Sequence, residues 1–126
     1  MPILDANAIL RYLLRDMPEM SEEAHKAIMT GASTTAEVLA EVVYVLDGVY
    51  HADRQTISQA LESFLSEVEV SHRNALRYAF RLYGKRSLDF VDCLLAGYHY
   101  MEGRDILTFD KKLRKILLTD PLAEQP

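Results

Sequence analysis

Asp5 and Asp110 stand in the same local setting, each after a short apolar run and before apolar residues at helical spacing. Met1-Pro2-Ile3-Leu4 is too short for a helix, whereas Ile9, Leu10, Leu13 and Leu14 recur as one helix face does. Asp105-Ile106-Leu107-Thr108-Phe109 repeats the logic ahead of Leu113, Ile116 and Leu117. Both stretches predict strand, turn, helix. In an open parallel sheet such turns lie at the carboxyl edge of the strands, where ligands collect. An acid there either caps its helix or faces a site, and Asn7 is placed to cap or to fix the Asp5 carboxylate.

Two more acids lie among apolar neighbours. Glu41 shares a helical face with Val38 and Val45, and Asp92 borders Leu95 and Ala96 at the next turn. A carboxylate on a packed face costs free energy unless it is hydrogen bonded, paired or bound to metal. Glu37 and Asp89, each about one turn away, compete with them, although an acid in a first turn is already explained by capping or the helix dipole. Two like charges about 4 Å apart repel by roughly 4 kcal/mol at an effective dielectric of 20, so four gathered acids require a counter-charge. Oxygen donors suit Mg²⁺ or Mn²⁺. Such ions polarise a phosphodiester and lower the pKa of a water, and as a pair they stabilise the attacking and leaving oxygens. The chemistry indicated is phosphodiester hydrolysis at Asp5, Glu41, Asp92 and Asp110.

Other chemistries lack their residues. No G-x-G-x-x-G or phosphate-binding loop follows the first strand. His25, His51, His72 and His99 have no zinc-site spacing, and no G-x-S-x-G elbow is present. A phosphatase built on an opening D-x-D motif is disfavoured because its second acid is Asn7 here. The net charge of −5 argues against nucleic-acid binding through global charge, while Lys85-Arg86, Lys111-Lys112, Arg114 and Lys115 gather locally. The single Cys93 allows no internal disulfide and reads as helix packing.

The elements that must position these acids alternate short apolar runs with helices, an α/β pattern. The chain of 126 residues suits one domain, 1–126, and no segment approaches the ~20 apolar residues of a membrane span. A second helix is expected through Ala24, Ala27 and Ile28, with Ser21 as its N-cap and Gly31 as its end. Ala32 to Thr35 reads as a short strand, and the apolar stretch from Ala36 to Leu46 as a helix carrying Glu41. Helices follow from Asp53, through Ala75 to Leu82, and from Ser87 to Tyr98, with Val68-Glu69-Val70 a marginal strand. A last edge strand is considered around Leu117-Leu118, before a tail from Asp120 to Pro126.

In this order, I-L-D-A-N-A-I-L-R-Y-L at 3–13, A-E-V-L-A-E-V-V-Y-V-L at 36–46, D-F-V-D-C-L-L-A at 89–96 and I-L-T-F-D-K-K-L at 106–113 resemble the PIN domain family, in particular the toxin ribonucleases of bacterial VapBC toxin–antitoxin pairs. The resemblance implies a PIN-like α/β/α sandwich with a central, mainly parallel sheet. It also implies a Mg²⁺- or Mn²⁺-dependent ribonuclease acting on RNA in the cytoplasm, frequent homodimerisation and an antitoxin protein as partner. Carried over by motif, the acids are Asp5, Glu41, Asp92 and Asp110, with Asn7 and Thr108 orienting carboxylates or water. Lys85, Arg86, Lys111 and Lys112 then become candidates for phosphate contact. The competing class is a non-catalytic module of the same fold that binds RNA or a protein partner.

Overall fold

Three extended segments meet beneath a set of helices. In the computed structural model, which describes residues 1–123, Ile3 bridges Ser33 and Ser33 bridges Glu69, both in parallel. The Leu4 N–H donates to the Ser33 carbonyl at 2.7 Å and the Ser33 N–H to the Pro2 carbonyl at 2.9 Å. On the other side the Thr34 N–H reaches the Glu69 carbonyl at 3.0 Å, and the Glu69 N–H reaches the Ala32 carbonyl at 2.9 Å. The central parallel sheet expected from the sequence is corrected to this extent: isolated bridges form, and no strand ladder forms among the described residues.

Local chemistry explains why the pairing stays short. Pro2 offers no N–H, and Asp5 already caps a helix, which leaves Ile3 and Leu4 to pair. Gly31 and the capping Thr35 confine the second segment to about three residues in the same way. The stretch expected as a strand at Asp105–Phe109 has no strand pairing among the described residues, and its Leu107 and Phe109 side chains are exposed. The suggested edge strand at Leu117-Leu118 is helix instead, because the apolar period of Leu113, Ile116 and Leu117 continues through it.

The helices are α1 (Ala6–Leu14), α2 (Pro18–Thr30), α3 (Ala36–Gly48), α4 (Arg54–Phe64), α5 (Arg73–Lys85), α6 (Phe90–Glu102) and α7 (Lys111–Leu118), with a 3₁₀ turn at Leu65–Glu67. Aspartates cap four of them, Asp5 on α1, Asp53 on α4, Asp89 on α6 and Asp110 on α7. The expected Ser21 cap is corrected: α2 begins earlier, at Pro18, whose missing N–H suits a first helical position. The Ser21 hydroxyl donates instead to the Arg11 carbonyl at 2.7 Å.

One continuous core runs from Leu4 and Ile9 through Leu39, Val42 and Val43 to Phe64, Phe80 and Phe90. Each fully buried side chain of this size contributes about 1.5–3 kcal/mol relative to exposure. Phe80 and Phe90 stack with centroids 5.0 Å apart, joining α5 to α6. These two helices share the most extensive helix contact in the molecule, and Gly97 is what permits it. A Cβ at Gly97 would lie 2.3 Å from the Ala75 carbonyl oxygen. Gly97→Ala must therefore part α5 from α6, and it is expected to lower stability by about 1–3 kcal/mol in urea unfolding. An unchanged midpoint would show that this approach is not under constraint.

Candidate acidic site at the start of helix α6

Asp89 and Asp92 open α6, one turn apart and in different roles. Asp89 caps the helix through the Val91 N–H, 3.3 Å from its Oδ2, and the same oxygen accepts the Tyr44 hydroxyl at 3.1 Å. Asp92 is half-buried and makes no ion pair or side-chain hydrogen bond among the described residues. Burial, and then the negative charges of Asp89 and Asp110, hold its carboxyl above the usual range. Desolvation, the Asp89 contact and the field of Asp92 likewise raise the Tyr44 phenol.

Asp110 reaches this neighbourhood from the loop before α7. Its Oδ1 accepts the Leu113 N–H at 2.9 Å, and its own N–H donates to the Thr108 hydroxyl at 3.1 Å. The Thr108 carbonyl accepts Arg114 Nε at 2.7 Å. Across the gap, Lys112 Nζ donates to the Ser87 carbonyl and ties α7 to the turn that precedes Asp89. Lys85, Arg86 and Lys111 are exposed on this rim, with Arg86 folded toward the Lys85 carbonyl.

The other two acids come from α1 and α3. Asp5 caps α1 with Oδ1 on the Ala8 N–H at 2.8 Å, and it lines a groove of about 330 Å³ with Asn7 and Arg11. Glu41 is exposed on α3. Helix α3 is registered against α6 by Tyr44 on Asp89 and by the field of Glu37 on Tyr98. Glu41 falls between those points on α3 as Asp92 does on α6. Glu37 occupies the first turn of α3, where the helix dipole accounts for it.

The structure thus brings Asp92, Asp89 and Asp110 within electrostatic reach of one another. It does not close all four predicted acids into one cluster: among the described residues no group of three or more His, Cys, Asp or Glu side chains is gathered tightly enough to hold a metal ion. In kind, the donors fit a hard cation. They are carboxylates, and Asp92, raised by burial and by the charges of Asp89 and Asp110, has no ion pair with a basic side chain among the described residues.

The sequence pattern of the PIN domain family matches residues 3–117. The chain belongs to the PIN domain family. The VapC ribonuclease of Aquifex aeolicus (strain VF5) is 26% identical over 129 aligned positions, which cover 92% of this chain and 92% of that protein. No solved structure matches the chain. In this PIN domain Asp5, Asp92 and Asp110 sit at helix starts and Glu41 within α3, so helix packing fixes their relative positions.

Three contributors to that packing escape a reading of the sequence. Tyr44 lies one helical turn after Glu41 and reaches Asp89. Arg54 directly follows the cap of α4; its Nε donates to the Tyr83 carbonyl at 2.8 Å, its NH2 donates to the Leu88 carbonyl, and its guanidinium lies 3.7 Å from the centre of the Tyr83 ring. Arg11, buried in α1, spans Asp16 at 2.8 Å and the Tyr50 hydroxyl at 3.1 Å, locking α1 to the end of α3. Cys93 is a packing residue: it is buried, its Sγ faces the Leu88 carbonyl at 3.6 Å, and burial pushes its thiol up to about 12.

Two predictions arise here. Folding raises the Asp92 pKa, so its stabilising contribution is complete below the unfolded carboxylate range near pH ~3.9 and is lost as pH rises through the folded value. In EDTA, Asp92→Asn should therefore raise the melting temperature by a few degrees at pH 7 and leave it unchanged near pH 3; an equal shift at both pH values contradicts a charge origin. Arg54→Met removes charged donors from two carbonyls and should cost roughly 1.5–3 kcal/mol in chemical unfolding. A neutral result would mean that the turn into α6 holds without Arg54.

Proposed function

We propose that the protein is a divalent-metal-dependent endoribonuclease, the toxin of a VapC-type toxin–antitoxin pair. The observation that carries this reading is the half-buried Asp92, held in the field of Asp89 and Asp110 with no ion pair to a basic side chain among the described residues. Membership of the PIN domain family and likeness to a VapC ribonuclease support it. Asp5, Glu41, Asp92 and Asp110 would hold Mg²⁺ or Mn²⁺, which when bound supplies polarisation of the scissile phosphodiester and activation of water. The chain's own residues orient the site. Thr108 holds the backbone of Asp110, Asn7 stands beside Asp5, and Lys85, Arg86 and Lys111 meet phosphates on the rim.

Completion of the site goes with completion of the sheet. The outer edge of Ile3 carries no backbone pairing among the described residues, while Asp105–Phe109 is an unpaired segment with exposed Leu107 and Phe109. In this reading that segment adds to the Ile3 edge in parallel, which buries apolar surface and draws Asp110 toward Asp5. The protein works in the cytoplasm as a homodimer, with an antitoxin protein to silence it. Among the described residues no helix is long and apolar enough to cross a membrane.

The open spacing of the acids favours one second reading, a non-catalytic PIN domain that binds RNA or a protein partner. Incubation of single-stranded RNA with the purified chain separates the two. The ribonuclease reading expects cleavage in Mg²⁺ or Mn²⁺, abolition by EDTA, and a loss of at least ~100-fold in Asp92→Asn, about 2.7 kcal/mol of barrier. It also expects Mn²⁺ to raise the melting temperature of the wild type more than that of Asp92→Asn. Binding of RNA without cleavage under all metal conditions favours the second reading.

A further inference from the structure

Helix α5 carries Arg73, Arg77, Arg81 and Lys85 at intervals of four residues and not one acid, in a chain whose net charge is −5. At 1.5 Å rise per residue, neighbouring bases of this stripe stand about 6 Å apart along the axis. The first of them serves the fold: Arg73 donates to the Leu65 and Val68 carbonyls and lies 3.9 Å from Glu69. The other three line an open groove of about 630 Å³ with Asn74, Tyr78 and Met101.

Charge in that groove is only partly balanced. Arg81 pairs with Glu62 at 2.6 Å, and Asp120 also lies in the groove, its Oδ1 accepting the Tyr78 hydroxyl at 2.5 Å and the Leu122 N–H at 2.9 Å. Neither the Arg77 guanidinium nor the Lys85 ammonium makes a hydrogen bond or ion pair among the described residues. The stripe also has a direction. From Arg77 it rises about 12 Å to Lys85, and the next residues are Arg86, Ser87, Leu88 and then the acid-bearing start of α6. Lys112 bonded to the Ser87 carbonyl continues positive charge across that turn toward Asp110.

We infer that the α5 groove is a track for the phosphodiester backbone of single-stranded RNA, leading the strand from Arg77 past Lys85 into the acidic site. The inference rests on the ribonuclease reading for its direction, and on α5 alone for its charge. A regular series of bases suits a polyanion with regularly spaced phosphates, and bases on the rim, not within the acidic centre, let a negatively charged site retain a negatively charged substrate. Contacts to phosphates carry no base information, so affinity would be largely independent of base sequence, with Met101 an apolar neighbour of the stripe.

The test is fluorescence anisotropy of a labelled single-stranded RNA with the full chain in EDTA, where no cleavage intervenes, across a salt series. Arg77→Gln with Lys85→Gln is expected to weaken binding at least ~10-fold at low salt and to flatten the log–log salt slope by about 1.4, at 0.7 per lost phosphate contact. Glu62→Gln, which frees Arg81, is expected to tighten binding and steepen the slope, a direction that misfolding does not produce. Unchanged affinity and slope in both variants overturn the track. So does a wild type that binds an acidic peptide of matched charge as well as it binds RNA. Absence of RNA cleavage in the presence of metal, with the binding changes as described, would remove the ribonuclease reading and leave the RNA-binding groove standing.

Discussion

The organising constraint in this molecule is a carboxylate that is partly withdrawn from water and set in the field of two others. Asp92 is half-buried, faces the fields of Asp89 and Asp110, and has no ion pair among the described residues. A protein pays for such an arrangement in stability, since burial and like charge both disfavour the ionised form. The chain tolerates the cost because other contacts hold the start of α6 in place. Arg54 clamps the turn through two carbonyls and Tyr44 fixes Asp89 from α3, while α5 and α6 close on each other at Gly97.

Capping and site formation are two uses of one residue here. Asp5, Asp89 and Asp110 each spend an oxygen on a backbone N–H at a helix start, which orients the carboxyl group without a basic side chain. A lysine or arginine in that orienting role would cancel the charge that makes the site attractive to a cation. The basic residues accordingly lie outside it, on the α7 start, on the turn at Lys85-Arg86 and along α5. Acid at the centre and base at the border is an electrostatic layout suited to binding a hard cation and a polyanion together.

What the sequence discloses follows the range of the interaction involved. The capping aspartates and most helices are legible because a cap and an apolar period are local events, decided within a few residues. Ser21 misleads because Pro18 opens α2 one turn sooner. The sheet is legible only in part for a different reason: the short apolar run at 105–109 predicts a strand, yet a strand exists only when a neighbour pairs with it, and among the described residues 105–109 has no pairing. Glu41 and Glu37 look alike on one helix, and a sequence does not hold the Tyr44–Asp89 hydrogen bond that ties α3 to α6. Tyr44, Arg11 and Arg54 leave no mark in the sequence because the partners that join them to other elements lie 29 to 45 residues away, Asp16 beside Arg11 being the one local contact. The α5 stripe is visible in the sequence by its spacing, but a negative net charge draws attention away from it.

The central claim is that acids distant along the chain share one cation, and diffraction at the manganese absorption edge from crystals grown with Mn²⁺ tests it most directly. The account predicts an anomalous peak bounded by the Asp92 and Asp110 carboxylates, with Asp5 drawn in beside them and Glu41 facing the same ion. Mn²⁺ bound elsewhere, or no peak at saturating Mn²⁺ while Asp5 stays apart from Asp92, would contradict it.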